Sequence, residues 1–579
     1  MNREVLKRVF RFTKPYRRYL WGAVISAVVS IAMTLLAPVL VGRGIDMMVG
    51  KNQVDFGGIL TLLCYLAVTI LIGAAFQWIL GVCTSTLTHR TVKDIRTAAF
   101  DKLSEVPLSY IDQNPHGDII SRIINDIDAL SDGLLQGMTQ IFTGVVTIVG
   151  TLAFMLSVNA GIALVVVLVT PLSLILATVI AKLSYGKFKE QSKTQGELGG
   201  LIEEMVGNQK VVKAFTHEEQ SQKEFDDINK RLYRCGVKAQ FYSAISNPGT
   251  RFVNGIVYAA VGVAGAISAI HGGLTVGEIS CFLTYANQYT KPFNEVTAVL
   301  TQIQSAFASA QRVLFVIDQK KEAPDAKGAR EMSDCDGLVE LRDVSFSYKP
   351  SVPLIEHVSL KANPGERIAI VGPTGCGKTT LINLLMRFYD VNEGEIRVDG
   401  VPIKQMTRQS LRRLYGMVLQ ESWLYSGTVR DNIAYGKPGA TMEEVIAAAK
   451  SAHAHGFIKR LPKGYDTVIS EEGGNLSQGQ KQLLCIARVM LTDPPMLILD
   501  EATSSIDTRT EQRIQKAFLK LMEGRTSFIV AHRLSTIKEA DLILVMKNGN
   551  IIEQGTHEEL LVENGFYAKL YNSQFAAAE

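Results

Sequence analysis

The chain has 579 residues, and its 60 Lys and Arg against 56 Asp and Glu leave a formal charge of +4 at pH 7. That length is too great for one compact core and calls for at least two domains, while the near balance of charge argues against a nucleic-acid partner. A hydrophobic share of 47% and a mean hydropathy of +0.15 average two unlike halves, the first membrane-like and the second not. The seven cysteines (Cys64, Cys83, Cys235, Cys281, Cys335, Cys376 and Cys485) are scattered, odd in number and without a C-x-x-C pair, which points to reduced thiols rather than disulfides or a zinc site.

The first 18 residues are basic and amphipathic, with Arg3, Lys7, Arg8, Arg11, Lys14, Arg17 and Arg18 among Val5, Leu6, Val9, Phe10 and Phe12. They are expected to lie on the cytoplasmic surface of a membrane. The apolar run that follows, Tyr19 to Val41, is long enough to span a bilayer rather than match the short core of a cleaved signal. Five further apolar stretches, near 59–82, 134–157, 161–181, 253–270 and 279–300, bring the expected spans to six. Short turns at Asn159-Ala160 and 271–273 carry no Lys or Arg, whereas the segments 84–132 and 184–251 are long and rich in both. The positive-inside rule places both termini and both long segments in the cytoplasm.

Those segments have the periodicity of helical hairpins, and arms of about 25 residues would project some 40 Å at about 1.5 Å per residue. Their expected tips are 109–117, where Asn114-Pro115 and Gly117 break the pattern, and the apolar knob Ala214-Phe215. The sixth span carries Tyr285, Asn287, Gln288, Tyr289, Lys291, Asn294 and Glu295, and polar groups at membrane depth face a cavity or a neighbouring helix. Together with residues around Trp78 they are candidates for contact with an amphipathic substrate. The polar stretch Gln319 to Gly328 marks a boundary, giving a membrane domain at 1–318, a linker at 319–336 and a second domain at 337–579.

From Gly337 onward short β-like runs, such as Leu338 to Leu341 and Val344 to Tyr348, alternate with helical patterns, which indicates an α/β core with a largely parallel sheet. Within it, the strand-like Ile368 to Val371 leads into Gly372, Pro373, Thr374, Gly375, Cys376, Gly377, Lys378, Thr379 and Thr380, and then into a helix. The glycines let successive N–H groups point at phosphate oxygens, Lys378 adds a point charge, and Thr379 offers a hydroxyl to Mg2+. Cys376, at a helix N-terminus beside Lys378, is either an alkylation-sensitive thiol or a packing variant, the second being the simpler reading. A second strand, Met496 to Leu499, ends in Asp500, suited to hold Mg2+, and Glu501, suited to take a proton from an attacking water. Ser477 caps a third element, a helix whose N-terminus is an anion site.

In order and spacing these motifs resemble the nucleotide-binding domain of ABC transporters, and six spans with long cytoplasmic hairpins resemble the exporter branch. The resemblance implies an ATP hydrolase coupled to transport, multi-pass in the cytoplasmic membrane. In it Tyr348 stacks on adenine, Gly372 to Thr380 is the Walker A loop, and Gln420 senses Mg2+ and the membrane domain. Glu471 contacts a coupling helix, and Leu476 to Gln480 is the signature motif, with Ser477, Gly479 and Gln480 toward phosphate. Asp500 and Glu501 are the Walker B aspartate and catalytic glutamate, Asp507 crosses the dimer interface, and His532 is the switch histidine. Gly117-Asp118 with Arg122 and Asp126, and Ala214-Phe215, resemble the coupling helices.

One membrane half with one nucleotide domain implies a half-transporter that works as a dimer, ATP lying between the Walker A loop of one chain and the signature of the other. The sequence departs from the family at Gln478, where the motif has glycine. An altered signature on a chain with an intact glutamate resembles one subunit of a heterodimeric exporter, whose partner would carry a degenerate Walker B and an unaltered signature. A homodimer is the alternative.

Overall fold

A computed structural model describes residues 3–49, 54–420, 422–470, 475–500, 507–530 and 537–574. These form two compact units, Met1–Val106 with Asn114–Lys321, and Pro107–Gln113 with Glu322–Glu579. The first is helical: α1 (Arg3–Thr13), α2 (Arg17–Asp46), α3 (Phe56–Glu105), α5 (His116–Ile123), α6 (Asn125–Val158), α7 (Ala160–Gly207), α8 (Gln209–Ala214), α9 (Glu218–Ala244), α10 (Ser246–Ile270) and α11 (Val276–Ile317). The short α4 (Leu108–Gln113) belongs to the second unit.

Among the described residues four helical stretches are long and apolar enough to cross a membrane: Glu4–Asp46, Phe56–Glu105, His116–Val158 and Arg251–Ile270. A shorter apolar helix covers Ala160–Leu172. The remaining expected span falls in the 42-residue α11, where the side chains of 293–301, among them Asn294 and Glu295, lie outside the described ones. At about 1.5 Å per residue, the 50 residues of α3 are more than twice as long as a hydrocarbon core of about 30 Å is thick. One helix therefore supplies both a span and a long cytoplasmic arm.

Local chemistry sets where these helices turn. Asn159 accepts hydrogen bonds from the N–H groups of Gly161 and Ile162, so α6 passes into α7 through one capping residue. Thr275 and Glu278 form a capping box at the start of α11. At the same end, Asp46 at the close of α2 accepts from Gly277 N and Thr275 Oγ1, both at 2.8 Å. The backbones touch there, since a Cβ on Gly277 would stand 1.9 Å from the Gly42 carbonyl oxygen.

Part of the apolar face of the amphipathic α1, expected on the membrane surface, packs on protein, while Phe10 is exposed. Val5 and Val9 are buried against Val92, Ile95, Ile127, Leu130, Val313 and Leu314, and Arg8 pairs with Asp318. Removing such side chains from water contributes roughly 1.5–3 kcal/mol each, so α1 is an integral part of this core. Nearby, buried Asp126 accepts from Ser309 Oγ at 3.0 Å and Arg312 Nε at 2.6 Å. Burial pushes its carboxyl up, but the Arg312 and Ser309 hydrogen bonds outweigh that and hold it below the usual range.

The second unit has two main sheets and a ribbon. One sheet is antiparallel, in the order β2 (Ile355–Ala362), β1 (Val339–Phe346), β4 (Glu393–Val398), β5 (Val401–Pro402). The other runs β12 (Asn550–Gly555), β11 (Leu542–Lys547), β3 (Arg367–Val371), β10 (Thr526–Val530), β9 (Met496–Asp500), β6 (Tyr415–Val418), parallel except for β12. A small ribbon pairs β7 (Gly427–Thr428) with β8 (Val468–Ile469). The central strands are continuous apolar runs because both faces are covered. In β3, Ala369 and Val371 join one core while Ile368 and Ile370 join the other, and β9 and β10 divide the same way. The two β-like runs expected near 338–348 are one strand, β1, whose register slips between Leu341 and Val344, around Asp343 at φ +51°.

The start of the expected linker packs within this unit. Arg408, largely buried, pairs with Asp325 at 2.8 Å and Glu322 at 3.2 Å, and its backbone N–H also donates to Asp325.

Candidate functional site

The parallel strands bring the sequence-predicted residues to one edge. Val530 lies abreast of Asp500 on one side and Ile370 on the other, and Leu499 lies abreast of Val418. Among the described residues, Gly372 follows β3, Asp500 ends β9 and Gln420 lies just past β6. Ligands of α/β sheets bind outside such carboxyl ends. Glu501, His532 and Glu471 lie outside the described residues.

The phosphate loop has the backbone its sequence requires. Gly372, Gly375 and Gly377 hold φ values of +153°, +82° and +106°. The helix α12 (Lys378–Leu385) then starts with Gly377 as N-cap and no side-chain cap, which leaves its first N–H groups for an anion. Lys378 Nζ donates to the carbonyls of Gly372 at 2.8 Å and Pro373 at 3.0 Å, so the charge is held over the loop. From behind, Gly549 N donates to Cys376 O at 3.1 Å. Pro373, Thr374, Gly375 and Thr379 are exposed on the outer side of the loop, and Thr380 is buried beneath it.

Cys376 is 2% exposed and packs in the same core as Ile368, Ile370 and Met546. A thiol so enclosed is a packing residue, since reactivity needs access as well as a thiolate. Native protein is expected to take up N-ethylmaleimide at Cys376 at least about ten-fold more slowly than denatured protein. Mass spectrometry of the 376 peptide reads this directly, and equal rates would restore the reactive-thiol reading.

Tyr348 stands beside the loop, its Oη 3.3 Å from Thr380 Oγ1, with its ring partly exposed. That position suits stacking on a purine attached to phosphates in the loop. The ring meets Phe346 and Tyr389 edge to face, both with centroids at 5.0 Å. Tyr389, which the sequence did not single out, donates its hydroxyl to Asp112 of α4. Burial, and then that hydrogen bond, raise the Tyr389 phenol above its ordinary value and keep it a donor. Within this unit Tyr389 thus meets α4, whereas Asp118, Arg122 and Asp126 belong to the first unit, where Asp118 pairs with Arg122 at 2.7 Å. The second expected tip ends α8, and Phe215 there is 78% exposed.

The signature helix Gln478–Thr492 opens on Ser477, whose side chain and that of Gln480 form a reciprocal capping box. Gly479 is buried and Gln478 exposed. Asp507 caps the helix Thr508–Met522, and the amide and hydroxyl of Thr510 hold its carboxyl below the usual range.

Comparison with known proteins matches two family models, the ABC transporter transmembrane region over residues 20–293 and ABC transporter over 355–504. The chain is 42% identical over 571 residues to a protein of Bacillus subtilis described as an uncharacterized ABC transporter ATP-binding protein, covering 98% of this chain and 94% of that one. This chain belongs to the ABC transporter family. A fatty acid ABC transporter ATP-binding/permease protein of Mycobacterium bovis is 40% identical over 530 residues, covering 91% of this chain and 84% of that protein. The solved structure of a bacterial Atm1-family ABC exporter with ATP bound superposes with a TM-score of 0.79 at 29% identity, covering 97% of this chain and 99% of that one. The protein is accordingly an ABC transporter of exporter fold, set in the cytoplasmic membrane with its nucleotide domain in the cytoplasm, and it hydrolyses ATP to drive transport.

In this transporter's membrane unit the expected substrate residues separate. Tyr285 is fully buried and donates to Leu35 O at 2.6 Å, and Tyr289 is buried beside it in the same core, so both are structural. Trp78 is 72% exposed on the outer surface of α3. Gln288 and Lys291 instead line a cavity.

Proposed function

We propose that this ABC transporter exports amphipathic molecules (drugs, lipids or hydrophobic peptides) by alternating access, with one hydrolytic site built on this chain's Walker A and Walker B residues. The observation that carries the reading is the convergence of the phosphate loop, Asp500 and Gln420 at one edge of a sheet in a chain that also crosses the membrane. The relative described as a fatty acid transporter supports an amphipathic cargo.

The hydroxyl of Thr379, the Asp500 carboxylate and the Gln420 amide are hard oxygen donors, the set that Mg2+ prefers. Bound there, the ion would offset charge on the phosphates. Tyr348 stacks on the adenine, and the loop N–H groups with Lys378 hold the phosphates. Glu501 orients a water and takes its proton as the water oxygen bonds to the γ-phosphorus and the bridging oxygen leaves with ADP. His532 contacts the γ-phosphate, while Ser477, Gly479 and Gln480 serve the site on the second chain. The exposed Phe215 is the knob offered to that chain's nucleotide domain.

Gln478 in place of the signature glycine supports a heterodimer, its partner carrying the degenerate Walker B. One observation favours two copies of this chain instead. Gln478 begins a helix whose capping box is intact, so the substitution leaves the local fold unchanged. Purifying the chain alone decides between them. The heterodimer reading expects a monomer or an inactive dimer, and a stable dimer with amphiphile-stimulated ATPase would sink it. ATP-dependent uptake of amphiphiles into inverted vesicles tests export, and hydrolysis without any uptake would overturn it.

A further inference from the structure

Between α2, α3, α6 and α11 lies a cavity of about 460 Å³, within the size range of small-ligand sites. Its wall is divided. Ile31 and Leu35 of α2 are apolar, and Gln77, Gln140, Gln288 and Lys291 are polar. Among the described residues that line it, Lys291 is the one charged side chain.

Helix geometry places this cavity in the bilayer. Lys291 follows the start of α11 at Val276 by 15 residues, about 22 Å along the axis at about 1.5 Å per residue. That lies within a hydrocarbon core of about 30 Å, in its cytoplasmic half given the basic cytoplasmic segments. An ammonium at such depth needs a counter-charge or water. Glu295 lies four residues further along in sequence, and its side chain is outside the described ones.

Two further features give the polar wall unmet capacity. Gln288 Oε1 is buried without a hydrogen-bond partner. Pro292, inside α11, has no N–H, which deprives the Gln288 carbonyl of its helical donor. Pro292 also packs toward α6 where Gly144 leaves room: a Cβ on Gly144 would meet Pro292 Cβ at 3.7 Å. Among the described lining residues the cavity thus pairs one cation with the two acceptors of Gln288, beside the apolar Ile31 and Leu35.

We propose that this cavity binds the head group of a single-chain anionic amphiphile, its carboxylate on Lys291, an adjacent hydroxyl or amide N–H on Gln288, and its chain along Ile31 and Leu35. The inference rests on the export reading and names its substrate class. A cationic amphiphile would meet repulsion from Lys291, and a neutral sugar head would leave the ammonium uncompensated.

The test uses the full chain in lipid nanodiscs, with its partner subunit if one is required. ATPase stimulation is measured with N-dodecanoylglycine, dodecyltrimethylammonium and dodecyl maltoside. The anionic probe is expected to act at a concentration about ten-fold below the other two, the scale of one charge-assisted contact. Lys291→Gln should raise that concentration about ten-fold, and Lys291→Arg should restore it to within about three-fold. Nucleotide binding by both variants controls for folding. Equal potency of the three probes, or an unmoved anionic response in Lys291→Gln, overturns the site alone. So does a cationic preference that Glu295→Gln abolishes. Silence and lack of transport for all three, with basal ATPase intact, overturn the export reading and this site with it.

Discussion

Glu501→Gln is expected to abolish steady-state ATPase, by at least about 100-fold, while leaving ATP affinity nearly unchanged. The substitution keeps the shape of the side chain and removes its ability to accept a proton, so the loss should fall on kcat. Tyr348, Lys378 and the loop amides, proposed above to carry nucleotide affinity, are untouched. Steady-state phosphate release and equilibrium binding of a fluorescent ATP analogue separate the two effects. Turnover within a few-fold of wild type would remove Glu501 from the role of base. Asp500, the residue before it in sequence, ends β9 in register with Val530 of β10.

Gly372→Ala should lose nucleotide binding for a different reason. At φ +153° the residue turns the chain out of β3, and a Cβ there would stand 2.2 Å from the Met546 carbonyl oxygen and 2.8 Å from Cys376 Sγ. Backbone strain and overpacking each cost about 1–3 kcal/mol, so ATP affinity should fall at least about ten-fold and the Tm of the nucleotide domain should drop by several degrees. Gly375→Ala is the control. It shares a positive φ, +82°, but nothing lies within 4 Å of its Cβ, so only the backbone cost applies. Calorimetry and ATP titration of both variants check the order. Equal losses would show that conformation alone, and not the contact with Met546, governs the loop.

The parts of this molecule that could be read in advance are those whose cause is local. Gly372 to Thr380 announces a strand, a phosphate loop and a helix because its glycines and Lys378 act on their own neighbours. The capping residues Ser477, Thr275 and Asn159 act within four positions of themselves. The order of the strands was not legible, because β3 pairs with β10 and β11 across more than 150 residues of chain. The contact of Tyr389 with Asp112 joins residues 277 apart, and nothing about Phe-Tyr-Asp in sequence points to it. The fate of α1 was hidden for a related reason. An amphipathic stripe states that one face must leave water, but a membrane surface and a protein groove satisfy it equally, and here Val5 and Val9 found protein. The polar residues of α11 divided once neighbours were visible: those turned inward, Tyr285 and Tyr289, complete a core, while Gln288 and Lys291 face a cavity.

The junction of Asp46 with Thr275 and Gly277 has a consequence for how such a machine can move. Gly42 and Gly277 bring two backbones into contact with no side chain between them, and one carboxylate fastens both strands of the joint. A stroke that parted α2 from α11 on that side would have to break both of the bonds that Asp46 accepts and separate the two glycine backbones. The joint therefore ties these two helix ends by backbone contact and one shared carboxylate, with no flexible side chain between the glycines to take up movement.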